Sequence, residues 1–394
     1  MPLKGVSSVS GKGGEITGFF TKNLQEMISD LKQVIECESP SGNVRLLNSC
    51  ADRISRIIES RTGIKPDFED LADGSRVLTF SVGQGEGDGI LVLSHYDTVF
   101  PEGTLEKRPF LVSEGKIQGP GVLDMKAGII QGIWALKFLM EHARVTRRIK
   151  FLMTPDEETG SLHSRKLIEE SGKTSTLAIV LESSENGKLK TGRKGVGTYK
   201  ITVNGRSAHA GLHPEDGINA ILEAAYLVLE LQELQDTSRG TTINVGMISG
   251  GTTTNVVPDV AEIGVDVRVA SMEESRRVDQ SINALKPRNA DARVTIAGGL
   301  NRMPMSKNER TESVLREVAK IGAGLGILVE DISVGGASDA NILAQTGMAI
   351  LDGMGSVGSG AHSNSEFVAA STIPLRTALL AITLLRYSEL QGDA

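Results

Sequence analysis

Residues 91–99 read Leu-Val-Leu-Ser-His-Tyr-Asp-Thr-Val, and no other stretch restricts the fold as much. Three apolar residues in a row after a glycine-rich turn predict a buried strand, of the kind found in α/β proteins with both sheet faces covered. That strand ends on an imidazole and a carboxylate. Residues i and i+2 of an extended chain share a face, so Asp97 can accept the spare ring N–H of His95, the usual support of a metal-binding histidine. His-x-Asp alone is a weak motif, and a hydrogen-bonded structural histidine is its plainer reading.

The pattern recurs along the chain. Ile149 to Met153 predicts a second apolar strand, running into Thr154-Pro155-Asp156-Glu157-Glu158-Thr159-Gly160. Consecutive acids at a buried strand end repel one another unless a cation or a proton offsets the charge. Asp156 is read as solvated, Glu157 and Glu158 as the functional pair. A third strand, Leu177 to Leu181, ends on Glu182. Between the first two lies a tight loop, Gln118 to Gly128, feeding a helix through Trp134 to about His142, with Asp124 at its mouth. A carboxylate there is ordinarily an N-cap; the competing reading is a metal ligand. His362 lies in a Gly/Ser-rich loop, Gly355 to Glu366. Alternating strands and helices predict an α/β domain whose sites collect at the carboxyl ends of strands.

A chain of 394 residues exceeds one ordinary core, so two domains are expected. The net charge of −7, with no Lys/Arg stripe among aromatics, argues against nucleic acid and acidic membrane surfaces as partners. No signal-type apolar region or membrane-length run is present, which makes a cytoplasmic location the default expectation. Cys37 and Cys50 fall in separate helical patterns and are read as free core thiols. Residues 1 to about 20 read as a loosely held polar lead, followed by helices at Asn23 to Cys37 and Asn43 to Ser60. The run Gly83 to Gly89 is read as a hairpin turn, because it lacks the Gly-Lys-Ser/Thr of a phosphate loop.

Near Gly195 the composition changes. Strands at Tyr199 to Val203, Thr241 to Ile248, Ala261 to Val269 and Ala292 to Ala297, with helices at about Asp216 to Gln235 and Met272 to Leu285, predict an α+β module in ferredoxin-like order. It holds His209, Asn255 and Arg268. Arg268 ends an apolar strand, and its planar guanidinium suits a substrate carboxylate or an ordinary ion pair. The expected organisation is a discontinuous domain, 1–195 and 307–394, with 196–306 inserted in it.

His95, Asp124, Glu157, Glu158, Glu182 and His362 form one candidate constellation. Two imidazoles and three carboxylates, one of them bridging, would make a dinuclear site whose mixed N/O donors suit Zn²⁺, with Mn²⁺ or Co²⁺ as substitutes.

Taken in order, His95-x-Asp97, Gly121-Val122-Leu123-Asp124-Met125-Lys126, Asp156-Glu157-Glu158-Thr159-Gly160-Ser161, Glu182, Ser207-Ala208-His209-Ala210-Gly211 and Gly360-Ala361-His362-Ser363 resemble the motifs of the zinc exopeptidase family. That family includes glutamate carboxypeptidase, acetylornithine deacetylase and succinyl-diaminopimelate desuccinylase. The resemblance runs from about residue 24 to 387 and is strongest to the glutamate carboxypeptidases, which also carry Glu at the position of Glu182.

It implies a three-layer α/β/α catalytic domain with an inserted ferredoxin-like dimerisation or lid domain, and a homodimer built through the insert. It further implies two Zn²⁺ per subunit, Asp124 bridging, His95 and Glu182 completing one site, Glu158 and His362 the other. Glu157 would be the general base for a water held between the cations, Asp97 the support of His95, and His209 an oxyanion stabiliser reaching the partner's site. Arg268 and Asn255 would contact substrate. The implied reaction is hydrolysis of an amide to release a C-terminal or N-acylated amino acid, with glutamate preferred; an N-acyl-amino-acid deacylase or di/tripeptidase is the alternative within the family. A binding protein on this fold would be expected to have lost some of these residue types, and all are present.

Overall fold

The computed structural model describes residues 13–83 and 89–389 of the chain. Residues 1–12, 84–88 and 390–394 lie outside them, and the hairpin expected at Gly83–Gly89 is corrected by the flanking strands: Arg76–Val82 and Gly89–His95 do not pair with each other, because Ile149–Thr154 lies between them.

The Gly89–His95 strand is buried along its whole length. It achieves this by lying inside a six-stranded sheet, between Ile149–Thr154 and Ser175–Val180, parallel to both. Ala349–Leu351 continues the parallel set on one side. On the other, Arg76–Val82 and then Asp67–Asp70 close the sheet in antiparallel register. Since the three central strands run the same way, the residues that follow them leave along one edge of the sheet. That edge receives His95, the acids 156–158 and Glu182.

Helices Ala127–His142 and Ile373–Glu389 are buried on most of their circumference, as an apolar helix inside a layered domain must be. Gly128 permits the closest approach: a Cβ there would lie 2.0 Å from the carbonyl oxygen of Leu181, one residue before Glu182. The buried core includes Trp134, Ile54, Leu31, Val92, Phe151 and Leu380. The indole N–H of Trp134 donates to Asp30 at 2.9 Å, and Arg61 holds the same carboxylate, so this buried polar group is satisfied.

Gly13–Lys22 is a helix with Ile16 and Phe20 buried, which corrects the expected loose lead in its last part. Ile16, Phe19 and Phe20 fall at helical spacing and dock on the core. Leu24–Ile35 and Val44–Thr62 follow, the latter capped by the Asn43 side chain.

By its contacts the described chain divides into two units, one of 13–191, 307–333 and 338–389, the other Gly192–Ser306 with Val334–Ala337. The return of Val334–Ala337 to the second unit differs from the expected boundaries. Local hydrogen bonds account for it, from the Lys194 N–H to the Val334 carbonyl at 3.2 Å and from Arg193 Nη1 to the Gly336 carbonyl at 3.0 Å.

In the second unit the main sheet and the two α-helices run strand, helix, two strands, helix, strand. Its antiparallel sheet is ordered Thr242–Gly250, Val260–Val269, Gly195–Asn204, Arg293–Arg302, with helices Ala220–Glu233 and Met272–Asn283. Burial alternates along Val260–Val269, and its inward residues join Tyr199, Ile201, Leu227, Val278 and Ile282 in a separate core. Among the described residues no helix is long and apolar enough to cross a membrane.

Candidate metal centre

The site begins where the Gly89–His95 strand stops. Nδ1 of His95 lies 3.3 Å from Oδ1 of Asp97 and 3.2 Å from the Asp97 carbonyl oxygen, which orients the ring. Asp97, wholly buried, also accepts the Ser41 hydroxyl at 2.8 Å and the backbone N–H groups of Glu157 and Glu158 at 3.1 and 3.2 Å. One carboxylate thus ties the end of one strand to the acidic turn after its neighbour.

Asp124 is not an N-cap. The helix begins after Lys126 without a side-chain cap, and Asp124 has non-helical torsions in the preceding turn. Its carboxylate faces two imidazoles instead, with Oδ1 3.1 Å from His95 Nε2 and Oδ2 3.2 Å from His362 Nε2.

Glu157–Thr159 is a 3₁₀ turn. Glu158 Oε2 lies 3.1 Å from His362 Nε2, while Glu157 is buried beside it. Asp156 corrects the solvated reading. It is buried, accepting the N–H groups of His163 and Ser164 at 2.8 and 3.1 Å, because the chain after the turn folds back over it. Glu182 Oε1 stands 3.4 Å from His95 Nε2.

Two triads result, His95–Asp124–Glu182 and Asp124–Glu158–His362, each with its ligand atoms within 4.8 Å of one another. Asp124 belongs to both and presents one oxygen to each imidazole. Burial disfavours a charged His95, yet bonds to Asp124, Asp97 and Glu182 outweigh it and hold its proton affinity well above the ordinary value. The Asp124 and Glu158 carboxylates push His362 up to about 10. Burial, with Asp124 and Glu157 adding their charge, lifts Glu158 to about 7 against the pull of His362. Burial likewise opposes ionisation of Asp124, and the two imidazoles more than reverse it.

The cluster therefore carries more negative charge than its imidazoles balance without protons, the condition a divalent cation relieves. Glu158 Oε1 is buried with no hydrogen-bond partner among the described residues. Nitrogen and oxygen donors in this mixture fit Zn²⁺, Mn²⁺ or Co²⁺.

Two buried acids escaped the sequence reading. Glu366 accepts the backbone N–H groups of Gly121, Leu123 and Asp124, and burial raises its carboxyl to about 7. Asp339 bonds Thr154 at 3.2 Å and also Ser161, bracketing the acidic turn. The local signal for both was an acid in a loop beside a motif, which does not reveal a buried backbone clamp.

His209, Asn255 and Arg268 are in the second unit. The Ala208–His209 strand pairs with Val256–Val257, and the Asn255 carbonyl accepts the Ala210 N–H at 3.0 Å. His209 is exposed, its Nδ1 accepting the N–H groups of Gly211 and Leu212 at 3.1 Å each. Nδ1 acts as an acceptor there, which leaves Nε2 as the ring nitrogen able to donate. Asn255 Oδ1 accepts the Thr253 hydroxyl. Asp266, which shares a strand face with Arg268, takes its Nε and Nη2 at 2.9 and 3.0 Å.

The chain is similar to hydrolytic enzymes, the M20 metallopeptidases and deacylases. The Peptidase dimerisation domain family matches residues 191–291, and Peptidase family M28 matches 77–198. Carboxypeptidase G2 from Pseudomonas sp. (strain RS-16) is 29% identical over 367 residues, covering 90% of this chain and 88% of that protein. The M20 metallo-carboxypeptidase Sso-CP2 from Sulfolobus solfataricus superposes with a TM-score of 0.72 at 18% identity, over 93% of this chain and 99% of that one. YXEP from Bacillus subtilis, described as a dinuclear metal-binding peptidase of the M20 family, has a TM-score of 0.64 at 16% identity over 93% and 98%. The likeness to these two structures concerns the fold. The resemblance drawn from the ordered motifs agrees with these matches.

Proposed function

We propose that this chain is a dinuclear-zinc amide hydrolase of carboxypeptidase type, releasing a C-terminal or N-acylated amino acid, with glutamate the first candidate. The observation that carries the proposal is Asp124, shared between two ligand triads, with Glu157 buried beside them. His95, Asp124 and Glu182 would hold one ion; Asp124, Glu158 and His362 the other. Bound there, the pair supplies Lewis acidity toward the substrate carbonyl and makes a water acidic near neutral pH.

The remaining chemistry belongs to the protein. Glu157 takes the proton of the attacking water and returns it to the leaving nitrogen. Asp97 keeps His95 in one tautomer by engaging Nδ1, and its grip on the Glu157 and Glu158 backbone fixes the base relative to a ligand. Within the proposed homodimer, His209 offers its Nε2 hydrogen to the oxyanion developing in the partner subunit's site. Arg268 and Asn255 bind the carboxylate of the released residue, the substrate exchanging with Asp266 for the guanidinium.

The inserted unit is proposed to build a homodimer. Its Thr242–Gly250 strand lies at the sheet edge with Met247 75% and Ile248 55% exposed, and Leu229 of the neighbouring helix is 62% exposed. Sedimentation giving only monomer at assay concentration contradicts that part. A cytoplasmic location is likewise proposed.

The test of the reaction is amine release from a panel of N-acyl and N-peptidyl amino acids with added Zn²⁺, on wild type and Glu157→Ala. Release by wild type with a preferred acidic C-terminal residue, lost in a variant that still binds metal, supports the proposal. No release from any member contradicts it.

A further inference from the structure

We infer that Glu366 is a positioning residue, whose carboxylate clamps the Gly121–Asp124 loop to the His362 turn and so sets the spacing of the two triads. The inference rests on the reading of Asp124 as the ligand shared by two ions.

Glu366 is 0% exposed and four residues beyond His362. Its Oε2 accepts the Gly121 N–H at 3.1 Å, and its Oε1 accepts those of Leu123 at 2.7 Å and Asp124 at 3.1 Å. Three backbone donors converge on one carboxylate, and the last belongs to the shared ligand itself.

The other side of Glu366 is equally fixed. Its N–H donates to the Ser363 carbonyl at 3.3 Å, and the Ser363 N–H to that of Gly360 at 3.0 Å, so His362 lies inside a closed turn. His362 occupies the left-handed region, φ 61°, which a non-glycine residue keeps only where its surroundings enforce it. Arg108 Nη2 donates to the Glu366 carbonyl at 2.8 Å, and its Nη1 lies 3.7 Å from Oε2. Immediately afterwards, Phe367–Ala369 pairs with Lys116–Gln118, the strand that leads into the Gly121–Asp124 loop.

Two loops that each deliver a ligand are thus joined twice, once by a strand pair and once by a buried carboxylate. A strand pair alone fixes one end of each loop. The carboxylate fixes where Asp124 stands within its loop, because the Asp124 N–H is one of its bonds. Burying an acid is costly, and serving three donors at once is what a neutral or shorter side chain does poorly here. Glutamine would keep an acceptor for Leu123 and Asp124 but turn an N–H toward Gly121 and Arg108.

The test is titration of metal-free wild type, Glu366→Ala and Glu366→Gln with Zn²⁺ against a competing chelator, and with Co²⁺ by visible absorption. Val314→Ala, a core truncation away from the cluster, controls for lost stability alone. The expected result is affinity for the ions lowered about 10- to 100-fold in Glu366→Ala, less in Glu366→Gln, with an altered Co²⁺ spectrum in both. Val314→Ala keeps wild-type affinity and spectrum. If Glu366→Ala does not fold, Glu366→Gln carries the same comparison. Variants that melt earlier yet bind both ions with wild-type affinity and spectrum overturn the inference and leave Glu366 a scaffold residue. A wild type that takes up neither ion overturns the metal reading and this inference with it.

Discussion

His95 and His209 are both imidazoles with a fixed ring, but their surroundings are opposite. His95 is 2% exposed, with Asp97 on one nitrogen and Asp124 and Glu182 on the other. His209 stands exposed on the second unit, oriented by two backbone N–H groups of its own turn. The first arrangement must be built by the whole domain, since its partners come from separate strands and loops. The second is local and is made within a few consecutive residues. Buried, charged and mutually supported groups are costly to assemble and sensitive to any change. An exposed donor can be lost without disturbing the fold around it. Under the proposed function, the first unit stores the preorganised charge and the second presents adjustable contacts to substrate.

This contrast can be broken most severely at Glu157. Glu157→Gln is expected to lower kcat by about 10²- to 10⁴-fold while metal content, read by elemental analysis, stays at the wild-type level. A variant with near-normal turnover would remove Glu157 from proton transfer.

The exposed histidine comes next. His209→Ala should cost about 10²- to 10³-fold in kcat, with melting temperature and metal content unchanged. Loss of metal in that variant would contradict the division between the units.

Removing the support of His95 sharpens the contrast from the other side. Asp97→Ala should weaken metal binding about 10- to 100-fold, because it leaves Nδ1 only the backbone carbonyl of residue 97 and takes the acceptor from the Glu157 and Glu158 N–H groups. Chelator competition that returns the wild-type constant would show that the ring is held by other means.

The smallest effect concerns stability of the second unit. Bonds from Arg277, with those of Thr241 and Arg239, overcome burial and hold Glu274 down to about 2. A depressed carboxylate contributes stability above its ordinary value, 4.5, and loses it as the pH falls through about 2. Glu274→Gln should therefore destabilise by about 2 kcal/mol near neutrality, the difference shrinking as the pH is lowered from 4.5 towards 2. Melting curves of equal separation at all these pH values would contradict the assignment.

Much of this was legible in the sequence. Apolar runs ending on His95, Glu157–Glu158 and Glu182 mark strand ends because buried strands and functional groups are unlike in composition. The ferredoxin-like order followed from the alternation of strands and helices after Gly195. Backbone clamps were not legible, because they depend on which strands pair. Glu366 reaches the Asp124 loop only because Phe367–Ala369 lies beside Lys116–Gln118. Asp156 read as the odd acid of three, yet its turn folds back and makes it an acceptor for Ser164. Arg268 was legible as a cation at a strand end, while the Asp266 two residues earlier was not recognised as the group that occupies it.

Everything proposed for the first unit depends on one carboxylate serving two ions. Its most direct test is metal stoichiometry at equilibrium with limiting free Zn²⁺, measured on wild type and Asp124→Ala. Two ions per wild-type chain and loss of both in the variant are the predicted result. One ion in wild type, or one retained by Asp124→Ala at wild-type affinity, would show that the triads do not depend on a shared ligand.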